Sequence, residues 1–231
     1  MIFKRKTAEP AVPEIKVVVA GEEHLKYVDE INDTIEKASK ERGTGIARRT
    51  YEYIAGKLSE GKAIIALDGD KFAGFCYIES WGDEKYVANS GLIVHWEYRG
   101  HGLARRIKHK AFELSRKKFP NAKLFGLTTG LAVMKINSEL GYRPVTFSEL
   151  TDDDQFWKGC QSCVNYDILV RMNRTKCLCT GMLYDPEWEK TTKRKMKTPF
   201  SIYKEWLEKR KNDKLLFSAI DWRKLILLHG R

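Results

Sequence analysis

A chain of 231 residues, 42% apolar and 32% charged, is long enough to bury a core and has the composition of a globular protein. That excludes a disordered or collagen-like chain, and no run approaches the ~20 apolar residues of a membrane span. Forty-two Lys and Arg against 31 Asp and Glu leave a formal charge of +11. An excess of that sign favours an anionic partner: nucleic acid, a phosphorylated cofactor, an acidic metabolite or a membrane surface.

The first residues, MIFKRKTAEPAVPEI, carry cations and prolines but no long apolar stretch. They do not read as a secretory signal, and a cytoplasmic location is expected. Residues 1–14 read as a flexible N-terminal segment. IKVVVA is a short strand, followed by an amphipathic helix whose Leu25, Val28, Ile31 and Ile35 share a face. GIARRTYEYIAGKLSEG is a second, shorter helix. KAIIALDGDKFAGFCYIESW is a hairpin turning at Asp68-Gly69-Asp70, where glycine supplies the positive φ. KYVANSGLIVH is a third strand. Leu103, Ile107, Ala111 and Leu114 mark a helix that ends near Phe119-Pro120. AKLFGLTT is a strand, LAVMKINSELGY a helix stopped by Gly141, and RPVTFSEL another strand. The order β-α-α-β-β-β-α-β-α-β predicts a mixed α/β fold with helices packed on a sheet.

Residues 15–150 are expected to form the core domain, and 151–231 a C-terminal extension with a cysteine segment and a basic helical tail. In the tail, Phe200, Tyr203 and Leu207 have helical spacing, so one stripe docks on the core or on a second copy in a homodimer. The opposite cations read as a solvated face. Nucleic acid is an unlikely partner, since no recognition helix of a known type is present.

The stretch most suggestive of chemistry is GLIVHWEYRGHGLARR, residues 91–106. A strand hands over to a helix through Gly100 and Gly102, with Arg99, Arg105 and Arg106 around them. The first amides of a helix have no internal partner, and the helix dipole adds positive potential. Glycines leave no Cβ in the way of a phosphate. The turn is therefore a candidate pyrophosphate cradle, or simply a loop shaped by its glycines. It is neither a Walker loop nor a dinucleotide fingerprint, whose third glycine is replaced by Arg105.

Arg99-Gly100-His101-Gly102-Leu103-Ala104 matches the Arg/Gln-x-x-Gly-x-Gly/Ala signature of the GCN5-related N-acetyltransferases (GNAT). Over roughly residues 15–148 the chain resembles that family. The resemblance implies a central, mostly antiparallel sheet flanked by helices. It implies an acyl-coenzyme A thioester, acetyl-CoA or another acyl-CoA, as co-substrate, its pyrophosphate on residues 99–104 and its pantetheine arm along Leu92, Ile93 and Val94. Transfer to an amine would be direct, with Glu79 as the general base, through water, or else an ordinary surface glutamate. Asn137 stands where the family often has a tyrosine that protonates the leaving thiolate. It can hydrogen-bond the cofactor, and the thiolate would leave with solvent help. His95, beside the turn, reads first as a structural histidine.

Ile46-Ala47-Arg48-Arg49-Thr50-Tyr51-Glu52-Tyr53-Ile54, with the hairpin after it, is similar to the matching part of N-acetylglutamate synthases. That resemblance implies a small amino acid as acceptor, glutamate favoured, and a place in arginine biosynthesis. Arg49, assisted by Arg48 or Thr50, would grip the acceptor's carboxylate, as an arginine fork does through two parallel hydrogen bonds. Solvated surface arginines are the alternative. Another amine (a protein N-terminus or a lysine) and a non-catalytic, nucleic-acid-binding variant of the fold are the rival functions.

Cys160-x2-Cys163 and Cys177-x-Cys179 leave three readings open: a structural zinc, packed thiols, or a redox or disulfide pair. A zinc is not favoured, and no metal ligands are assigned. Cys76, mid-strand, reads as core packing.

Overall fold

The computed structural model describes residues 14–43 and 48–189. The chain divides into two units, Met1–Pro186 and Glu187–Arg231, and every element below belongs to the first. Of the expected flexible segment 1–14 all but Glu14, and the tail stripe of Phe200, Tyr203 and Leu207, lie outside the described residues. No helix among the described residues is long and apolar enough to cross a membrane.

The elements run β1 (Lys16–Val19), α1 (Val28–Arg42), α2 (Tyr51–Ser59), β2 (Ala63–Asp68), β3 (Lys71–Trp81), β4 (Tyr86–Val94), α3 (Leu103–Lys118), β5 (Lys123–Thr128), α4 (Leu131–Glu139), β6 (Arg143–Val145), α5 (Asp154–Lys158), α6 (Tyr166–Arg171) and β7 (Thr180–Tyr184). Up to β6 this is the order the periodicity predicts. A 3-10 turn over Glu22–Tyr27 takes the place of the expected start of α1. Gly43, at φ 60, closes α1 in the left-handed conformation usual for a helix end. Thr50 opens α2, its side chain accepting a hydrogen bond from the Tyr53 amide. Arg48 and Arg49 therefore precede α2 and are not on its surface.

The sheet is ordered β1-β2-β3-β4-β5-β7-β6. All neighbours pair antiparallel except β4 and β5. The expected domain boundary at residue 150 needs correction, because β7 comes from the segment after it and lies between β5 and β6. An unpaired β5 edge would be left without it.

Helices cover both faces. Against one pack Leu103, Ile107, Ala111 and Leu114 of α3, meeting Ile64, Cys76, Ile78, Val87 and Leu124. Against the other pack Val28, Ile31 and Ile35 of α1 and Ile54 and Leu58 of α2, meeting Ile65, Phe75, Tyr77 and Ile93. Alternate residues of β3 thus serve opposite cores, as the two-residue repeat of a strand requires.

Candidate functional site

Two irregularities in β4 shape the site. Phe75 pairs with Ile93 and Tyr77 with Ser90, so Gly91 and Leu92 together oppose Cys76, forming a bulge. Gly91 has φ 69, and a Cβ there would lie 2.6 Å from the Tyr77 ring. Only glycine fits. The second irregularity is that β4 pairs with β5 from Tyr86↔Lys123 only to Ala88↔Phe125. Beyond Ala88 the strands part, and β5 goes on pairing with β7 to Thr128. The backbone of residues 89–94, which includes Leu92, Ile93 and Val94, thus faces a cleft on its β5 side. Ile93 itself is buried in the α1–α2 core, while Leu92 and Val94 are half-buried toward α3. What this strand offers the cleft is peptide groups.

The glycine turn stands at the end of that strand. Gly100 has φ 88 and Gly102 φ 74, and an added Cβ would meet nothing within 4 Å at either. The space in front of both is open. The first hydrogen bonds of α3 run from the amides of Arg105 and Arg106 to the Gly102 carbonyl, at 3.1 and 3.3 Å. The amides of Gly102, Leu103 and Ala104 accordingly have no acceptor within the helix. Leu103 anchors the turn in the core at 2% exposure, and His101 is exposed.

The three arginines do something other than surround an anion. Arg99 donates to the Val94 carbonyl at 3.1 Å and to Glu41 at 2.9 Å. That hydrogen bond holds the Glu41 carboxyl below its ordinary range. Arg105 pairs with Glu139 of α4 at 2.8 Å, and Arg106 donates to the Ile15 carbonyl. They fasten α1, α4 and the lead-in of β1 around the turn. The amides that open α3 are left facing the open space before the turn.

Glu79, on β3, reaches the α1–α2 face and is gripped by α2. The Tyr53 hydroxyl donates to one carboxylate oxygen and the Lys57 ammonium, 2.5 Å away, to the other. Burial, then Tyr77 and the bond to Glu79, push the Tyr53 phenol far above its ordinary value, so Tyr53 is a hydrogen-bond donor and not a base. Arg49 lies beside this group. Its Nε is 3.4 Å from the Tyr77 hydroxyl and its guanidinium 5.9 Å from the Tyr53 ring centre. Arg48 points elsewhere, to Glu36 at 2.7 Å and Asp33 at 3.4 Å on the exposed side of α1. The structure brings Arg49 and Glu79 together and leaves Arg48 and Thr50 out.

On the α3 face a polar network lies under the point where β4 and β5 part. Asn89 accepts from Lys108 at 3.2 Å and from the Tyr142 hydroxyl at 2.9 Å, and donates to Ser115 at 2.8 Å. Burial pulls Lys108 down to about 8 and pushes Tyr142 well above its ordinary value. Cys76, which donates to the Ser90 carbonyl, is pushed up to about 11 by burial. It is an inert core thiol, as expected.

Asn137 is 1% exposed, its carbonyl accepts from the Leu140 and Tyr142 amides, and its buried Oδ1 has no partner among the described residues. His95 is buried against Trp96, with ring centres 3.7 Å apart. Gly91, Tyr53, Lys57, Tyr77 and Asn89 were not anticipated. A glycine inside a strand pattern was the available signal for the bulge; for the others the sequence carries none.

Residues 29–133 match the profile of the acetyltransferase (GNAT) family. Within this stretch, somewhat under half of the chain, lies a GNAT acetyltransferase domain. That places it in the acyltransferase class, and solved structures share its fold. N-acetylglutamate synthase from Neisseria gonorrhoeae, complexed with coenzyme A and N-acetyl-glutamate, is 15% identical with a TM-score of 0.53, over 77% of this chain and 36% of that one. Rv2747 from Mycobacterium tuberculosis, in complex with CoA, is 15% identical with a TM-score of 0.53, over 74% and 98%. The Salmonella typhimurium protein yncA, with its cofactor acetyl-CoA, is 13% identical with a TM-score of 0.51, over 75% and 94%. No curated protein matches the sequence. At such identities the likeness is one of fold. The chain spans about a third of the Neisseria enzyme's length.

Proposed function

We propose that the protein transfers an acyl group, acetyl or a related one, from an acyl-CoA thioester to the amine of a small amino acid, with glutamate the favoured acceptor. The observation that carries this reading is that the free edge of β4 runs from Ala88, which pairs with Glu79, to the strand end before the glycine turn. The open glycine turn lies at one end, peptide groups of residues 89–94 line the middle, and Arg49 and Glu79 sit across the sheet beside β3.

In this account the amides of Gly102, Leu103 and Ala104 bind the pyrophosphate, the free edge of β4 orients the pantetheine arm, and Arg49 holds the acceptor's carboxylate. The amine nitrogen attacks the thioester carbonyl. A C–N bond forms, the C–S bond breaks, and the sulfur leaves as thiolate to take a proton from solvent. Glu79 receives the amine's proton through water, with Tyr53 and Lys57 fixing its orientation. A peptide N–H at the Gly91 bulge is the donor placed to meet the carbonyl oxygen as it gains charge. Asn137, buried and without an acidic proton, supplies none to the sulfur.

The test is thiol release from acetyl-CoA and succinyl-CoA, each crossed with single amino acids. Glutamate should give the highest kcat/KM with one of the donors. Silence with glutamate and turnover with a peptide N-terminus or lysine would replace the acceptor assigned here.

A further inference from the structure

Between α5 and β7 lie four cysteines with no part in acyl transfer. Successive turns fold the first pair together: the Cys160 amide donates to the Trp157 carbonyl at 3.0 Å and the Cys163 amide to the Cys160 carbonyl at 2.9 Å. After α6, Asn173 and Arg174 take positive φ values of 46 and 58 and turn the chain back. Cys177 and Cys179 then arrive just before β7. Leu178 between them is 61% exposed while both cysteines are half-buried, so the one-residue spacing turns both thiols inward.

All four cysteines line one cavity of about 30 Å³, with Leu127, Phe147 and Leu169 among its other walls. None of the four is in a disulfide. Four sulfurs around a void of that size match one soft, tetrahedral cation.

We propose that Cys160, Cys163, Cys177 and Cys179 form a structural site for a single zinc ion that staples the α5–α6 segment to the lead-in of β7. Among the described residues, no three His, Cys, Asp or Glu side chains already stand as a coordinating group. One torsion places each cysteine sulfur, and rotation about it into the cavity is the change required. A divalent cation displaces the thiol protons and makes the cluster cohesive. With four protein ligands the site is closed and not catalytic. It would still matter to the acceptor side, because Arg49 Nη2 stands 4.0 Å from the Cβ position of Gly159, next to the first ligand.

The test uses the full chain made without a polyhistidine tag. Elemental analysis should find one zinc per chain, released as an organomercurial consumes four thiols. Cys163→Ser should lose the zinc and Cys76→Ala should keep it. Should Cys163→Ser fail to fold, cobalt exchanged into the unaltered chain should give thiolate-to-cobalt charge-transfer absorption. The proposal is overturned by a chain that takes up no zinc when refolded with it, by a disulfide joining any of the four, or by zinc retained in Cys163→Ser.

Discussion

The Lys57 ammonium stands 2.5 Å from Glu79 Oε1, with 10% and 20% of the two side chains exposed, and the Tyr53 hydroxyl occupies the other carboxylate oxygen. A carboxylate so held cannot swing. Its fixed position is what a base acting through one ordered water requires. Glu79→Gln keeps the size and the acceptor for Lys57 but receives no proton. We expect kcat to fall by roughly 10²–10⁴, the usual span for general-base removal, with KM for the acyl donor little changed. Steady-state kinetics of the variant checks it.

Arg49 is assigned to substrate and Arg48 to the surface, so the two should separate kinetically. Hydrogen bonds to charged groups contribute about 1.5–3 kcal/mol. Arg49→Ala should therefore raise KM for the amino acid by roughly 10–100-fold, and Arg49→Lys should recover part of it. Arg48→Ala, which breaks only exposed pairs with Asp33 and Glu36, should leave kcat and KM within about twofold. Steady-state kinetics with varied glutamate decides it.

Lys108 predicts a pH dependence of stability. Its folded value of about 8 lies below the ordinary 10.5. Below about pH 8 both states carry the proton, and the folded state bears the full penalty of a buried ammonium. Between 8 and 10.5 the unfolded chain holds more protons, so this contribution to stability rises with pH. Above 10.5 the penalty is gone. Cys76 and Tyr142, raised by the same burial, act in the opposite sense at higher pH, so the difference between two proteins is the quantity to follow. Denaturant unfolding should show Lys108→Met more stable than the parent by about 2 kcal/mol near pH 7, allowing about 1 kcal/mol for the lost bond to Asn89. The difference should shrink toward pH 10.5.

Gly91→Ala tests the bulge. The new methyl meets the Tyr77 ring at 2.6 Å on a backbone at φ 69. Strain and overpacking together should remove about 2–4 kcal/mol, lowering Tm by roughly 5–15 °C. Thermal unfolding of the variant checks it.

Most of the fold was legible because its elements obey simple periods. Val28, Ile31 and Ile35 of α1, and Leu103, Ile107 and Ala111 of α3, are buried as their spacing implies. The hairpin turns at Gly69, which has φ 58. The place of β7 was not legible, since no local pattern tells a strand that it will slip between two earlier ones. Nor was the charge around the glycine turn. Three arginines in a row of text look like a phosphate site, yet each finds a carboxylate or a carbonyl from a distant element. Lys108 was hidden in the same way. On a basic helix it looks solvated, and only the helix phase against Asn89 and Tyr142 buries it.

The central claim is that the peptide groups opening α3 bind the diphosphate of coenzyme A. Calorimetric titration of the full chain with coenzyme A, and separately with pantetheine, tests it most directly on the parent and on Gly102→Val. A β-branched residue at φ 74 is strained and its side chain fills the open space before the turn. We expect the variant to bind coenzyme A at least about tenfold more weakly, a loss of about 1.4 kcal/mol, while its affinity for pantetheine stays that of the parent. No binding of coenzyme A by the parent, or equal binding by the variant, would contradict the account.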